Sequence, residues 1–332
     1  MERRAASAVH RRSLMGTMST MSARIRSGAI DLGGTKIETR LFGPDLQTLE
    51  LRRKATPTES FEALVEGLSG EIAWLMETAS DPRLPIGLAI PGLLDETTGE
   101  CFSSNLPISG RHLAPALSER FGRRFTLAQD GKAFAYSEAM GGAGEGFQRV
   151  VGLVLGTGVG GGVCDLTFNP VEATALEIGH VGMPARALAA NGLPLWRCGC
   201  GKLGCIECYV AGSALSRLSD FMTGERIDGA AIAARADAGD GPAKAVLDAW
   251  LALVGECLLT IQITLDPDCI VIGGGASKMP RIIERLEPAL AALQLGMKPP
   301  PALRLARHGD SSGVRGMALL ALGAFFRDDG SP

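Results

Sequence analysis

From Ala29 the chain reads apolar, apolar, acidic, apolar through Leu32, enters a turn at Gly33-Gly34, and alternates again over Ile37–Phe42. That pattern predicts a β-hairpin closed by a glycine turn. Apolar residues at Phe61, Leu64, Val65, Leu68, Ile72 and Leu75 follow the helical period, predicting a helix over about 60–79. The run 85–90 predicts a buried strand ended by Pro91-Gly92. A helix over about 113–121, a short strand over 125–128 and a helix over about 133–140 come next, the last stopping at Gly141-Gly142. The pattern then restarts: an apolar strand over 150–155, a glycine turn over 156–162 and a return strand over 163–166. Strand, glycine turn and strand thus occur twice, which fits a duplicated core. A third cluster, Gly273–Gly275, follows a strand over 269–272 and precedes a helical stretch, and a largely apolar helix over about 313–326 closes the chain. Alternating strands and helices predict an α/β architecture.

The glycine clusters are the first candidate chemistry. In DLGGTKIE (31–38), glycines let a backbone approach a phosphate and free N–H groups bind its oxygens. Asp31 is a candidate for holding Mg²⁺ directly or through water. The spacing is not that of a Walker A loop, and an ordinary Gly-rich hairpin turn is the competing reading. In GTGVGGG (156–162), five glycines in seven residues are hard to justify by packing, because each costs roughly 0.5–1 kcal/mol relative to Ala. The competing reading there is a flexible loop.

Cysteine spacing adds a second chemistry. His180 with Cys198, Cys200 and Cys205 has the composition of a closed structural zinc site, and Gly199, Gly201 and Gly204 would let the short loop turn its sulfurs inward. A disulfide is the alternative. Cys101, Cys164, Cys257 and Cys269 lie in apolar runs and read as core residues, with Cys208 a spare beside the loop. Asp130, between a strand and a helix, is a candidate general base or simply a helix N-cap.

Bulk properties narrow the class. The 332 residues suffice for two domains, and 46% hydrophobic with 21% charged residues is a globular composition. A formal net charge of −3 gives no electrostatic case for nucleic acid or anionic membrane as a partner. No run of 18 consecutive apolar residues is present. Residues 1–27 are basic and Ser-rich without an apolar signal core, and read as a disordered lead or an over-long start, with Met15, Met18 and Met21 as other possible first residues. A cytoplasmic location is the resulting expectation.

Taken together, DLGGTK, Pro91-Gly92, GTGVGGG, EIGH (177–180), CGCGKLGCIE (198–207) and DPDCIVIGGG (266–275) resemble the ROK family (repressors, open reading frames, kinases) in order and content, from about Ser27 to the C-terminus. The resemblance implies two actin-like (ribonuclease H-like) α/β domains around a nucleotide and sugar cleft. One would span 28–130 and be completed by the helix 313–327; the other would span 131–312 and carry a zinc loop at 177–208. It implies an ATP-dependent sugar kinase acting as a homodimer on a small sugar. ATP and Mg²⁺ would be held by Asp31, Gly33, Gly34, Thr35, Lys36, Gly156, Thr157, Gly158, Val159, Gly160, Gly161 and Gly274. Zn²⁺ would sit on His180, Cys198, Cys200 and Cys205. The sugar would be bound by Gly92, Asn105, Asp130, Glu177, His180 and Glu207, with Asp130 as the base that deprotonates the 6-hydroxyl.

One segment departs from the family. Where it usually reads N-D-A-N, this chain has Gln129, Asp130, Gly131 and Lys132. Gln129 is one methylene longer than Asn, and Lys132 could depress the pKa of Asp130. The stretches 105–122 and 135–146 are similar to the N-acetylglucosamine kinase and fructokinase branches, and ISGRHL favours N-acetylglucosamine; fructose, mannose and glucose are the other sugars. A sugar sensor without effective catalysis is the rival of another class. A repressor would need a DNA-binding module ahead of residue 28, where only 27 residues stand.

Overall fold

The computed structural model describes residues 26–328 apart from 96, 104, 169–171 and 297. Residues 1–25 of the basic N-terminal lead therefore lie outside the described residues, while Ser27 belongs to the first strand. Chain contacts divide the protein into two units, one formed by residues up to Ser137 together with those from Ser311 on, the other by Glu138–Asp310.

The first unit is built on β1 (Ser27–Leu32), β2 (Lys36–Phe42), β3 (Thr48–Ala55), α1 (Phe61–Ala79), β4 (Ile86–Ile90), the short pair β5 (Leu93–Leu94) and β6 (Cys101–Phe102), α2 (Leu113–Phe121), β7 (Thr126–Gln129) and α3 (Asp130–Ala139). Its five-stranded sheet has the order β3-β2-β1-β4-β7, antiparallel from β3 to β1 and parallel from β1 to β7. The predicted hairpin is the β1–β2 pair, with Leu32 opposite Ile37. Ser60 caps α1 by accepting from the Ala63 N–H at 3.0 Å, and Leu64, Leu68, Ile72 and Leu75 bury its apolar stripe.

Strand β3 is not among the elements that hydrophobic alternation predicts. It is an exposed edge, ELRRKA, placed by charge instead. Arg52 and Lys54 pair with the buried Glu71 of α1 at 3.1 and 2.9 Å, and Arg53, on the opposite face, pairs with Glu38 at 2.7 Å.

The second unit holds β8 (Arg149–Leu155), β9 (Val159–Asp165), β10 (Glu172–Leu176), α4 (Ala185–Ala190), α5 (Glu207–Val210), α6 (Gly212–Thr223), α7 (Gly229–Asp237), α8 (Gly241–Leu265), β11 (Cys269–Gly273), α9 (Ile282–Ala291) and β12 (Ala302–Leu305). Its sheet runs β10-β9-β8-β11-β12 with the same senses as the first: antiparallel from β10 to β8 and parallel from β8 to β12. The pattern repeat is thus a repeat of topology.

Two boundaries differ from the sequence expectation. The turn expected over 156–162 closes by Gly158, because Gly160, Gly161 and Gly162 are ladder residues of β9 opposite Val154, Leu153 and Gly152. A Cβ on Gly161 would lie 2.2 Å from the Gly152 carbonyl oxygen, so that glycine serves sheet packing. The helix expected from 133 begins at Asp130, whose place is the first helical residue and not the cap before it.

Helix α8 has no clear apolar stripe in its sequence, since apolar residues recur on several faces of the cylinder. Asp240 caps it, Pro242 lies in its first turn, and Trp250, Leu253, Val254, Cys257 and Ile261 are fully buried in the core. Among the described residues it is the one helix long and apolar enough to cross a membrane, and 72% of its apolar window is buried inside the protein.

The last helix, α10 (Ser312–Asp328), returns to the first unit and packs on β1, β4 and β7 through Val314, Met317 and Ala318. Its approach to α3 leaves no room for a side chain at 316, where a Cβ would sit 1.9 Å from the Ala133 carbonyl oxygen. Helix propensity favours Ala over Gly by about 1 kcal/mol, whereas overpacking costs about 1–3 kcal/mol. Gly316→Ala is expected to lower the urea midpoint; a midpoint at or above wild type would show that the two helices separate freely.

Candidate active site

Each unit carries a glycine turn after its first strand. In the first, the Gly33 N–H closes the turn on the Lys36 carbonyl at 2.9 Å. Gly34 lies under Asn105, where a Cβ would come within 2.6 Å of the amide nitrogen; the Asn105 oxygen accepts from the Ser103 hydroxyl at 2.8 Å. Gly92 follows β4 with φ +104°, and a Cβ there would meet the Phe102 carbonyl oxygen at 2.1 Å, so this position admits only glycine.

Asp31 is the next-to-last residue of β1 and Asp130 opens α3, both in the same unit. Asp130 is exposed, and its Oδ1 accepts from the Gly131 N–H at 2.7 Å. Burial, then the charge of Asp130, push the Asp31 carboxyl up to about 6. A partly buried carboxylate with a like-charged neighbour suits a divalent cation, which would relieve both penalties.

In the second unit, the turn 156–158 is bounded by the Gly156 N–H bond to the Gly158 carbonyl at 3.0 Å. Glu207, the first residue of α5, accepts from the Val159 N–H through Oε2 at 2.9 Å. A Cβ on Gly158 would lie 2.7 Å from that same Oε2, so a side chain there would push the Glu207 carboxylate aside. The EIGH segment forms a 3₁₀ turn, Ile178–His180, pressed against β9; a Cβ on Gly179 would meet the Val159 carbonyl oxygen at 2.1 Å. Gly274, at φ +81°, backs onto Leu155 and Gly156, so the third glycine cluster abuts the second.

His180, Cys198, Cys200 and Cys205 come together, with their ligand atoms all within 4.8 Å of one another. The Cys200 and Cys205 sulfurs are 3.6 Å apart, and the Cys198 sulfur is 3.7 Å from His180 Nδ1. Thiolates 2.3 Å from a tetrahedral zinc stand about 3.8 Å from each other, so this donor set fits zinc. Burial and the adjacent thiols push the Cys205 thiol up to about 12, a penalty that a bound cation would remove. Gly201 and Gly204 have φ of +88° and +74°, as the loop needs; Gly199 has no such requirement, contrary to the sequence reading. Cys208 stays outside the cluster, with its sulfur 4.0 Å from the Trp196 carbonyl.

Residues 27–324 match the ROK family. The chain belongs to that family. It is 37% identical over 304 residues to the N-acetyl-D-glucosamine kinase of Escherichia coli O6:H1, covering 88% of this chain and 98% of that protein. It is 35% identical over 297 residues to the N-acetylgalactosamine kinase AgaK of Shewanella sp. (strain ANA-3), covering 89% of this chain and 96% of the relative. The ROK hexokinase of Thermus thermophilus superposes with a TM-score of 0.77 at 30% identity, over 92% of this chain and all of that one.

The ROK glycine motifs fall at the ends of strands or on the short turns beside them. What they omit is the polar residues that hold the turns. The Gly33 and Thr35 carbonyls are taken by Thr56, and the Gly156 and Thr157 carbonyls by Gly212 and Ser213. No spacing rule points to these, because they lie 21 to 56 residues from the turns they serve.

The Asp31 environment generates a test. A carboxyl whose folded pKa is raised stabilises the protein below its unfolded pKa of about 3.8, and that stability is lost as pH rises through about 6. Asp31→Asn removes the charge, so the ligand-free variant is expected to be more stable than wild type at pH 8, by about 1–3 kcal/mol, with the gap closing at pH 4. Urea melts at the two pH values check this; a variant less stable at both would show that the carboxylate is not under strain.

Proposed function

We propose that this ROK protein is an ATP-dependent kinase that phosphorylates the 6-hydroxyl of an amino-sugar, with N-acetyl-D-glucosamine as the preferred substrate. The observation that carries the reading is a glycine turn after the first strand of each unit and Asp130 at the head of α3, in a chain matched along nearly their whole length by two relatives named as N-acetylhexosamine kinases. N-acetyl-D-galactosamine, fructose, mannose and glucose are the other sugars to be tested.

The turn amides bind the ATP phosphates, and Lys36 adds a positive charge beside the first turn. Asp31 would hold Mg²⁺ directly or through water, and the ion would supply neutralisation of the phosphate charge. Asp130 accepts the 6-hydroxyl proton as that oxygen attacks the γ-phosphorus in line. Its exposure keeps the carboxylate hydrated, and its place at a helix N-terminus favours the charged form that a base needs.

Glu177, His180 and Glu207 bind the sugar hydroxyls. The two roles assigned to His180 are compatible because its ring nitrogens differ: Nδ1 faces Cys198 and would take zinc, which leaves Nε2–H to donate to a hydroxyl. Zinc would be structural, fixing the loop that carries Glu207. Asn105 and Gly92 line the sugar side of the first unit, and Gly274 the adenosine side of the second. The enzyme acts as a homodimer on the family resemblance, which light scattering decides.

Mixing the protein with ATP, Mg²⁺ and each sugar should release ADP fastest with N-acetyl-D-glucosamine and yield its 6-phosphate by ³¹P NMR. Asp130→Ala should lower kcat by about 10²–10⁴ while sugar binding persists. Sugar binding by wild type without ADP release would identify a sensor. Elemental analysis should find one zinc per chain, lost in Cys198→Ser; a metal-free wild type with a Cys200–Cys205 disulfide would refute the zinc assignment.

A further inference from the structure

The two glycine turns share a construction that their motifs do not reveal. In the first, the Thr56 hydroxyl donates to the Gly33 carbonyl at 2.6 Å, and the Thr56 N–H donates to the Thr35 carbonyl at 3.1 Å. In the second, the Gly212 N–H donates to the Gly156 carbonyl at 2.8 Å, and the Ser213 hydroxyl donates to the Thr157 carbonyl at 3.1 Å. A trans peptide is planar, so the C=O of one residue and the N–H of the next point in opposite directions. Anchoring the Gly33, Gly156 and Thr157 carbonyls therefore turns the N–H groups of Gly34, Thr157 and Gly158 outward. None of these three amides donates to a backbone or side-chain acceptor among the described residues.

Glycine makes this orientation fragile. A peptide flanked by glycine flips at little steric cost, and a flipped one would show its carbonyl oxygen to an anion in place of an N–H. Each turn accordingly needs an anchor from elsewhere in the chain. In the first unit it comes from the residue just past the edge strand β3, and in the second from the start of α6.

We propose that Thr56 and Ser213 are positioning residues of the nucleotide site: each holds a turn carbonyl so that the next amide faces a phosphate, and neither touches ATP itself. The inference rests on the kinase reading above. It also gives the cysteine loop a second consequence. Ser213 lies eight residues past Cys205 on a short continuous segment, and Glu207 between them holds the Val159 N–H, so the loop that orients the sugar residues also braces the phosphate turn.

The test is binding of a fluorescent ATP analogue with Mg²⁺ and no sugar, together with KM for ATP and for N-acetyl-D-glucosamine, on the full chain. Thr56→Ala and Ser213→Ala should each raise the nucleotide Kd and the ATP KM roughly 3–10-fold, the effect of one net hydrogen bond, with kcat and the sugar KM within about twofold of wild type. Thr56→Ser and Ser213→Thr keep the hydroxyl and should restore binding. Ser213 is exposed, so its alanine variant is expected to melt like wild type, which separates anchoring from unfolding. Alanine variants that bind nucleotide like wild type, or that raise the sugar KM as much as the ATP KM, would overturn the proposal and leave the kinase reading standing. A wild-type chain that binds no nucleotide would remove both.

Discussion

A peptide plane held by its oxygen must show its hydrogen on the far side, and both glycine turns of this protein are organised around that constraint. The inner strands deliver the turns to the end of each sheet's strands, and glycine lets the chain bend there without a Cβ in the way. Neither decides whether a carbonyl or an amide faces outward. That choice is made by Thr56 in one unit and by Gly212 and Ser213 in the other, through hydrogen bonds of 2.6 to 3.1 Å. The anchors are dissimilar in sequence and in supporting element, a strand end in one case and a helix start in the other, yet the resulting peptide orientation is the same.

In the second unit three motifs meet at one residue. The Val159 N–H is taken by Glu207 and its carbonyl lies against Gly179 of EIGH, while its chain neighbour Gly158 makes way for the same Glu207 carboxylate. Glu207 also turns its other oxygen toward Cys198, 3.8 Å away. Glu207, the EIGH segment, the cysteine loop and the second glycine turn are therefore packed together, with the Glu207 carboxylate beside Gly158 and the Val159 carbonyl against Gly179. Zinc on the cysteine-loop ligands would therefore have a short route to the second glycine turn.

Charge is handled differently at the periphery and at the site. Glu38 and Glu71 are buried but answered by Arg40, Arg52, Arg53 and Lys54, and the ion pairs with Arg53 and Arg40 hold the Glu38 carboxyl below its ordinary range. Asp31 sits a few residues away with acidic neighbours and is pushed the opposite way. One strand pair thus contains a neutralised carboxylate that fixes the edge strand and another whose charged form is penalised by burial and acidic neighbours.

The sequence by itself determined the repeated strand–turn–strand plan, the helix 61–79, the buried strands around residues 86–90, 150–155 and 269–272, the zinc-type ligand set and the family, because each is written in local spacing or in a contiguous motif. Tertiary structure alone decided the rest. Strand β3 has no apolar alternation and is held by ion pairs to α1, and α8 buries most of its length among apolar residues on several sides, so it carries only a weak amphipathic signature. The extent of the second glycine turn depended on which glycines the neighbouring strand would pair, and Thr56 and Ser213 acquired their part from contacts with residues distant in the chain. Periodicity reports only which face of an element is wet; which carbonyl a hydroxyl will reach is set when the elements pack.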